Sequence, residues 1–313
     1  MSEAKTIVVT GIGGRFGRLV VRALHRAGHT IIGIDARPID DLPKDVEHLR
    51  VDLRSKRAVD VFRRRDVGAL IHLGLLHGLR SGQASKQHEW NVAGTARLLE
   101  MCLEQSVRKV ILLSSASLYG PRADNDQFLR EDAPLLAAAD FPAVRDLVAV
   151  DMSAQSFFWR ARGSDVDTVI LRPVHILGSV RNAPSNYLRL ERIPVLMGFD
   201  PMVQVIHELD VVDVMIRALE PGVHGIFNVA GPAEVPLSRV VAETGAPTLT
   251  IPYSAMRLGL GALWRLRLTH YPVPELLHIR FSAMVDDSRA REELGYHPRR
   301  TLREAVQAAL AAR

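Results

Sequence analysis

Residues 6–17 read TIVVTGIGGRFG. All five residues of Thr6–Thr10 are β-branched, the composition of a buried strand, and they run straight into Gly11, Gly14 and Gly17 at three-residue spacing. Phe16, Leu19, Val20, Ala23 and Leu24 then recur at helical spacing over 15–28. A strand, a glycine triplet and a helix in that order make a phosphate-binding turn. The first glycine permits a tight turn, the second lets a pyrophosphate approach the backbone, and the third lets helix and strand pack closely. Free N–H groups and the positive dipole end at the helix start attract the anion. The reading places Gly11, Gly13, Gly14, Arg15, Phe16 and Gly17 at the cofactor. The next apolar run, IIGID (31–35), ends on Asp35, 18 residues beyond Gly17. A carboxylate there accepts from the adenosine ribose hydroxyls and repels a 2′-phosphate. NAD is therefore expected over NADP, with Arg15 and Arg37 close enough to weaken the preference by pairing with a phosphate.

Outward from this turn the alternation continues. HLRVD (48–52), GALIHL (68–73), VRKVILLSS (107–115), DTVILRP (167–173) and GIFNVAG (225–231) read as strands, with helical segments at 55–65 and 84–105. Strands that are apolar almost throughout, separated by helices, imply a parallel sheet covered on both faces. The expected fold is α/β, a Rossmann-type doubly wound sheet with a smaller C-terminal substrate-binding lobe. Residues 1–173 form the NAD-binding domain, with the sheet completed by about 204–231. Segments 174–203 and 232–286 form the smaller lobe over the sheet's carboxyl edge, and 287–313 form a C-terminal helical segment.

Composition bounds the function. The 313 residues carry 40 Lys+Arg against 35 Asp+Glu, a net charge of +5, and are 47% hydrophobic and 24% charged, as expected of an ordinary globular protein. The single cysteine, Cys102, excludes an internal disulfide and a cysteine-rich metal site. The Met-Ser-Glu-Ala-Lys start has no apolar leader, and no run approaches the ~20 apolar residues of a membrane span. A soluble cytoplasmic protein is expected. The run Arg63–Arg65 beside Asp60 and Asp66 reads as a solvated helix face, so no nucleic-acid partner is expected. The twelve histidines show no H-E-x-x-H pair, and no metal is expected. Ser114 and Ser115 lack a Gly-x-Ser-x-Gly elbow, which argues against a serine hydrolase.

Several landmarks in order resemble the extended short-chain dehydrogenase/reductases, the NAD-dependent epimerase/dehydratase family. TGIGGRFG is similar to its TGxxGxxG, VDLRS to the segment whose Asp and Leu (here Asp52 and Leu53) touch adenine, and LIHLGLL to VIHLAA, placing Leu73, Gly74 and Leu75 beside the cofactor. NVAGTARLLE resembles NVxGTxNLLE, with Asn91 reaching the cofactor region, and SSASLYG resembles SSxxVYG, whose second serine (here Ser115) contacts the substrate oxygen. LRPVHILG resembles LRxxNVxG, putting Pro173 near the nicotinamide and His175 where a substrate-contacting asparagine is usual. IHELDVVD, GIFNVAG and DDSRAREELGYHP match later landmarks, and GFDPMVQVIHELDV and VRDLVAVD look closest to an atypical, UDP-glucose 4-epimerase-like actinobacterial branch. The resemblance implies a nucleotide-sugar or related hydroxyl or keto substrate. It also implies a homodimer formed through helices at 84–105 and 143–162.

The same resemblance exposes a gap. The family's chemistry depends on Tyr-x-x-x-Lys at a helix start, where lysine lowers the tyrosine pKa and the tyrosinate exchanges the hydroxyl proton. No lysine follows Lys109, so the dyad is absent under any alignment. Counting back from Arg172 puts the two positions at Leu147 and Asp151; counting forward from Ser115 allows Phe141 and Arg145. The first register needs no unusual insertion. Neither leucine nor phenylalanine moves a proton, and an aspartate there would repel a phosphate or carboxylate. Tyr119, His175 and His207 are the substitutes the sequence offers, with Ser115 holding the substrate oxygen and Arg280 compensating for Met202 where a diphosphate-binding arginine is expected. Residues 251–268, IPYSAMRLGLGALWRLRL, form an amphipathic stretch, read as a lid or packing segment or else as a surface for a lipid-like substrate or membrane interface. Three functions remain open: a family enzyme with a substitute acid/base, a non-catalytic NAD-binding sensor or scaffold, and an oxidoreductase acting on a lipid-like or ketide substrate.

Overall fold

The computed structural model describes residues 6–75, 84–141, 144–269 and 271–312. The Met-Ser-Glu-Ala-Lys start and Leu76 of LIHLGLL lie outside the described residues. Strands β1 (Thr6–Thr10), β2 (Thr30–Ile34), β3 (Glu47–Leu49), β4 (Val67–His72), β5 (Lys109–Leu113) and β6 (Asp167–Pro173) alternate with helices. These are α1 (Arg15–Arg26), α2 (Lys56–Arg64), α3 (Ala84–His88), α4 (Gly94–Glu104), α5 (Ala137–Asp140) and α6 (Arg145–Ala161). The main sheet has seven strands in the order β10-β6-β5-β4-β1-β2-β3, all parallel, where β10 is Gly225–Val229. The order reverses between β1 and β4, which puts the turn after β1 at the crevice where such sheets bind ligands.

Alternate residues of the central strands feed cores on opposite faces, which is why their middles are apolar at successive positions. Ile7, Val9, Ile71, Ile111 and Leu171 enter one core; Val8, Leu70, Val110 and Ile170 enter the other. Val8, Val9, Leu70 and Ile71 are fully buried, each contributing roughly 1.5–3 kcal/mol of burial free energy.

Two expectations shift. The helix over 84–105 is interrupted by a π-helical turn, Glu89–Ala93, which carries Asn91. The strand at 202–207 does not extend the main sheet. As β9 (Met202–His207), it pairs with β7 (His175–Leu177) and with β11 (Glu234–Pro236) in a separate three-stranded sheet. The remaining pair, β8 (Ile193–Leu196) and β12 (Thr248–Ile251), belongs to the same lobe, as do α7 (Ala183–Leu188), α9 (Leu237–Ala242) and α10 (Tyr253–Arg265). Helix α8 (Glu208–Arg217) returns to pack on α1. The carboxyl-terminal segment divides: α11 (Ser288–Glu293) lies on β10, while α12 (Leu302–Ala311) closes the core of the smaller lobe.

Candidate functional site

Close backbone approach defines the turn after β1. Gly11 has φ +76°, and a Cβ there would stand 2.8 Å from the Gly74 Cα; a Cβ on Gly17 would stand 2.3 Å from the Gly11 carbonyl oxygen. Gly14 is the N-cap of α1, with no side-chain cap on the first N–H groups, and Phe16 packs its ring against the core below. The Gly13 N–H donates to Asp35 Oδ2 at 2.9 Å. Asp35 also accepts from the Arg37 N–H (3.0 Å), Nε (2.9 Å) and Nη2 (2.8 Å). Burial pushes the Asp35 carboxyl up, but the Arg37 and Gly13 hydrogen bonds outweigh it and hold it below the usual carboxylate range. A side chain at Gly11 or Gly17 would fill the cradle a pyrophosphate needs, and a carboxylate borders that cradle at Asp35, so the residues present fit a dinucleotide. Arg15 also reaches away from the turn. Its Nη1 donates to the Ser179 carbonyl (2.8 Å) and, more weakly, to that of Ala312 (3.4 Å), joining the turn to the smaller lobe.

One threonine ties the neighbouring loops together. Thr10 Oγ1 accepts from the Leu73 (3.2 Å) and Gly74 (3.1 Å) N–H groups, which fills both lone pairs. Its own proton therefore goes to His72 Nδ1 at 2.7 Å, leaving His72 Nε2–H to donate to Thr95 Oγ1 at 2.9 Å. Burial pushes His72 down to about 4, which keeps this chain neutral. Gly74 in turn accepts from Trp90 Nε1 (2.9 Å). Leu73 and Leu75 are half-buried, Leu53, Asn91 and Pro173 are buried, and Asp52 is clamped by Arg54 Nε (3.0 Å) and Nη2 (2.8 Å).

Helix α6 carries both Leu147 and Asp151. Asp151 is fully buried and receives Arg172 Nη2 (2.7 Å) and Nε (3.0 Å), Gln155 Nε2 (2.8 Å) and the Ser114 hydroxyl. The expected repulsion of an anion is thereby corrected, because a bidentate guanidinium neutralises the carboxylate. In the other register, Phe141 packs on the His278 ring (5.0 Å) and Arg145 Nε reaches the Ala138 carbonyl (3.4 Å). Tyr119 belongs to the same buried network: its hydroxyl donates to Asn228 Oδ1 (2.8 Å) and accepts from Arg172 Nη1 (2.8 Å). Burial raises its phenol further above 10, against the pull of Arg172. Tyr119 is a packing residue here.

Two serines and two histidines gather around a small cavity. A narrow cavity of about 20 Å³, room for one water, is lined by Ser117, His175, Met202, Gln204, His278 and Phe281 among others. Ser115 and Ser117 share a 2.8 Å hydroxyl hydrogen bond, and Ser115 accepts from the Ser117 N–H. The His175 and His278 rings meet edge to face at 5.6 Å. Burial lowers His175 to about 4; burial and the neighbouring His175 lower His278 to about 3. Both are neutral at pH 7, and the same burial makes them weak bases. His278 was not singled out by the sequence; it lies in a 3₁₀ segment, Val273–Ile279, that no motif marks. His207 is the N-cap of α8, its Nδ1 accepting from the Leu209 N–H at 3.0 Å, a structural duty. Arg280 is stacked against Tyr253 (4.3 Å), Phe281 (4.8 Å) and Phe199 (5.0 Å), with its Nε buried and without a hydrogen-bond partner.

Residues 7–230 match the model of the NAD dependent epimerase/dehydratase family. The chain belongs to that family. An uncharacterized protein of Mycobacterium tuberculosis, Rv0501, is 28% identical over 96% of this chain and 82% of its own length. Among solved structures, MoeE5 in complex with UDP-glucuronic acid and NAD aligns at 22% identity and TM-score 0.74 over 98% of both chains. UDP-glucuronic acid 4-epimerase from Bacillus cereus, in complex with NAD, aligns at 16% identity and TM-score 0.75, also over 98% of both. These two structures share the fold of this epimerase/dehydratase family member. Its cofactor, as the family description states, is NAD.

Proposed function

We propose that this family member holds NAD across Gly11–Gly17 and Asp35, with Asp52, Leu53, Leu73, Gly74, Leu75, Asn91 and Pro173 forming the rest of the cofactor surface. The observation that carries the reading is the Gly13 N–H···Asp35 hydrogen bond, which sets the ribose-binding carboxylate against the phosphate turn. Bound NAD supplies a hydride acceptor and donor. The substrate is a nucleotide sugar such as UDP-glucose or UDP-glucuronic acid, as in the structural relatives, with Arg280 Nε offered to its diphosphate. Ser115 and Ser117 hold the reacting oxygen, and neutral His175, backed by His278, takes the hydroxyl proton that a tyrosinate takes elsewhere in the family. The protein is cytoplasmic and dimerises through α4 and α6, where Met152 and Trp159, seven residues apart on one face, stand 59% and 58% exposed.

The locked Asp151–Arg172 pair favours a second reading, a non-catalytic NAD-binding protein. Titration calorimetry of the purified protein with NAD, NADH and NADP tests the cofactor claim; the absence of any dinucleotide binding would end both readings. Turnover of UDP-glucose and UDP-glucuronic acid, followed by nicotinamide absorbance and product analysis, separates them. The enzyme reading requires His175→Phe to lower turnover about 10²–10⁴-fold with NAD binding unchanged. NAD binding without turnover of either sugar, in wild type and variant alike, leaves the sensor reading.

A further inference from the structure

Exposed apolar side chains are concentrated on the smaller lobe. Of the thirteen large hydrophobic residues that stand in solvent among the described residues, nine lie between Leu190 and Leu268, and five fall within residues 258–268. Leu258, Leu266 and Leu268 are 75%, 68% and 70% exposed. Helix α10 is held down along one side, where Met256 packs with Tyr253 and Leu260 on Leu196 and Leu276. At about 100° per residue the opposite side carries Ser254, Ala255, Leu258, Ala262 and Arg265, with Leu266 following as the C-cap. A helix on a protein surface ordinarily turns polar residues outward; this one and the turn after it hold Leu258, Leu266 and Leu268 in solvent, interleaved with Arg257, Arg265 and Arg267. Its last turn closes with Leu268 N–H on the Leu263 carbonyl (2.9 Å) and Arg267 N–H on that of Trp264 (3.0 Å). Arg267 takes φ +58°, the left-handed position usually left to glycine, so the exposed pair Arg267 and Leu268 is set by an ordered turn.

Charge selects the occupant. From Thr244 through Pro274 there is no acidic residue, while Arg257, Arg265 and Arg267 are all exposed. A second copy presenting the same face would set arginine against arginine. A bilayer with anionic headgroups satisfies both features: leucine and tryptophan enter the headgroup–acyl boundary, and the arginines meet phosphates. We propose that α10 and the turn after it dock this protein, without spanning, on an anionic lipid surface. Tyr253, the first residue of α10, stacks on Arg280 beside Phe281 of the cleft, so docking brings the cleft to the membrane.

The test is co-sedimentation of the full chain with vesicles of phosphatidylcholine alone and of phosphatidylcholine mixed with phosphatidylglycerol, at low and high salt. Binding is expected to the mixture and to weaken with salt, with a blue shift of emission that Trp264→Phe removes. At about fivefold per arginine, Arg265→Gln/Arg267→Gln lowers partition roughly 25-fold. Leu258→Ser/Leu266→Ser/Leu268→Ser removes binding while lowering the melting temperature by only a few degrees, because these side chains are at least two-thirds exposed. Protein left in the supernatant with the anionic mixture overturns the proposal. So does binding that ignores these substitutions. If the leucine variant instead breaks an oligomer in light scattering and the wild type ignores vesicles, the face is a self-association surface. None of these readouts depends on NAD, so they stand apart from the cofactor reading.

Discussion

Asp151→Ala removes the carboxylate that faces Arg172 in the core. Arg172 is 1% exposed and Asp151 fully buried, so the guanidinium left behind keeps its charge with no water to take over two lost hydrogen bonds. Breaking a buried pair from one side costs about 3–5 kcal/mol. With an unfolding entropy of about 2.1 cal/mol/K per residue, a chain this long loses about 5–8 °C of melting temperature. Replacing both partners, Asp151→Leu/Arg172→Met, removes the orphaned charge and recovers most of that loss. Recovery is incomplete, because Arg172 also donates to Tyr119 and to the Glu131 carbonyl (2.9 Å). Circular-dichroism melts and urea titrations of the wild type, the single variant and the double variant supply the three numbers. A single variant melting within a degree of wild type would refute the buried pair, and a double variant no better than the single would refute the charge as the cause. Writing the missing dyad back in, Leu147→Tyr/Asp151→Lys, sets a second cation beside Arg172. It is expected to melt lower still and to show no gain in turnover.

Gly17→Ala drives a methyl against the Gly11 carbonyl, and the overpacking cost of about 1–3 kcal/mol predicts roughly tenfold or greater weakening of NAD in calorimetry. Asp35→Asn removes the charge that repels a 2′-phosphate and frees Arg37 to meet one; the NADP-to-NAD affinity ratio should rise on the order of tenfold. His72 titrates at about 4 in the fold against 6.5 unfolded, so the unfolded chain binds its proton first and stability falls as pH drops from 6.5 to 4. That group alone accounts for about 3 kcal/mol of the loss. Urea midpoints across that window should fall less in His72→Gln, and equal slopes would discount the group.

The sheet was legible because parallel strands covered on both faces are apolar almost throughout: Thr6–Thr10 and Asp167–Pro173 stand where the residues put them. Pairing across the chain was not. Residues 202–207 look like any strand, and their assignment to a second sheet rests on His175–Leu177 and Glu234–Pro236, neighbours that no local pattern announces. The π-helical turn at Glu89–Ala93 inserts one residue into a helical period, too small a change to disturb the apolar rhythm. At the site, the glycine turn and Asp35 were readable because backbone approach demands particular residues. Asp151 was found by counting, yet its partner was not, although Val148, Val150, Ala154 and Phe157 mark the face it shares as buried. His278 sits in an irregular segment whose one signal was membership of the excursion expected over the sheet's carboxyl edge.

The Asp151–Arg172 pair also constrains ancestry. A single substitution that restores lysine at 151 must first survive a buried cation facing another, and one that alters Arg172 must survive a buried anion without its counter-charge. A step to lysine at 151, or away from arginine at 172, therefore passes through a poorly folded protein. Each partner thus protects the other from single replacement, so the two positions are expected to change together or not at all.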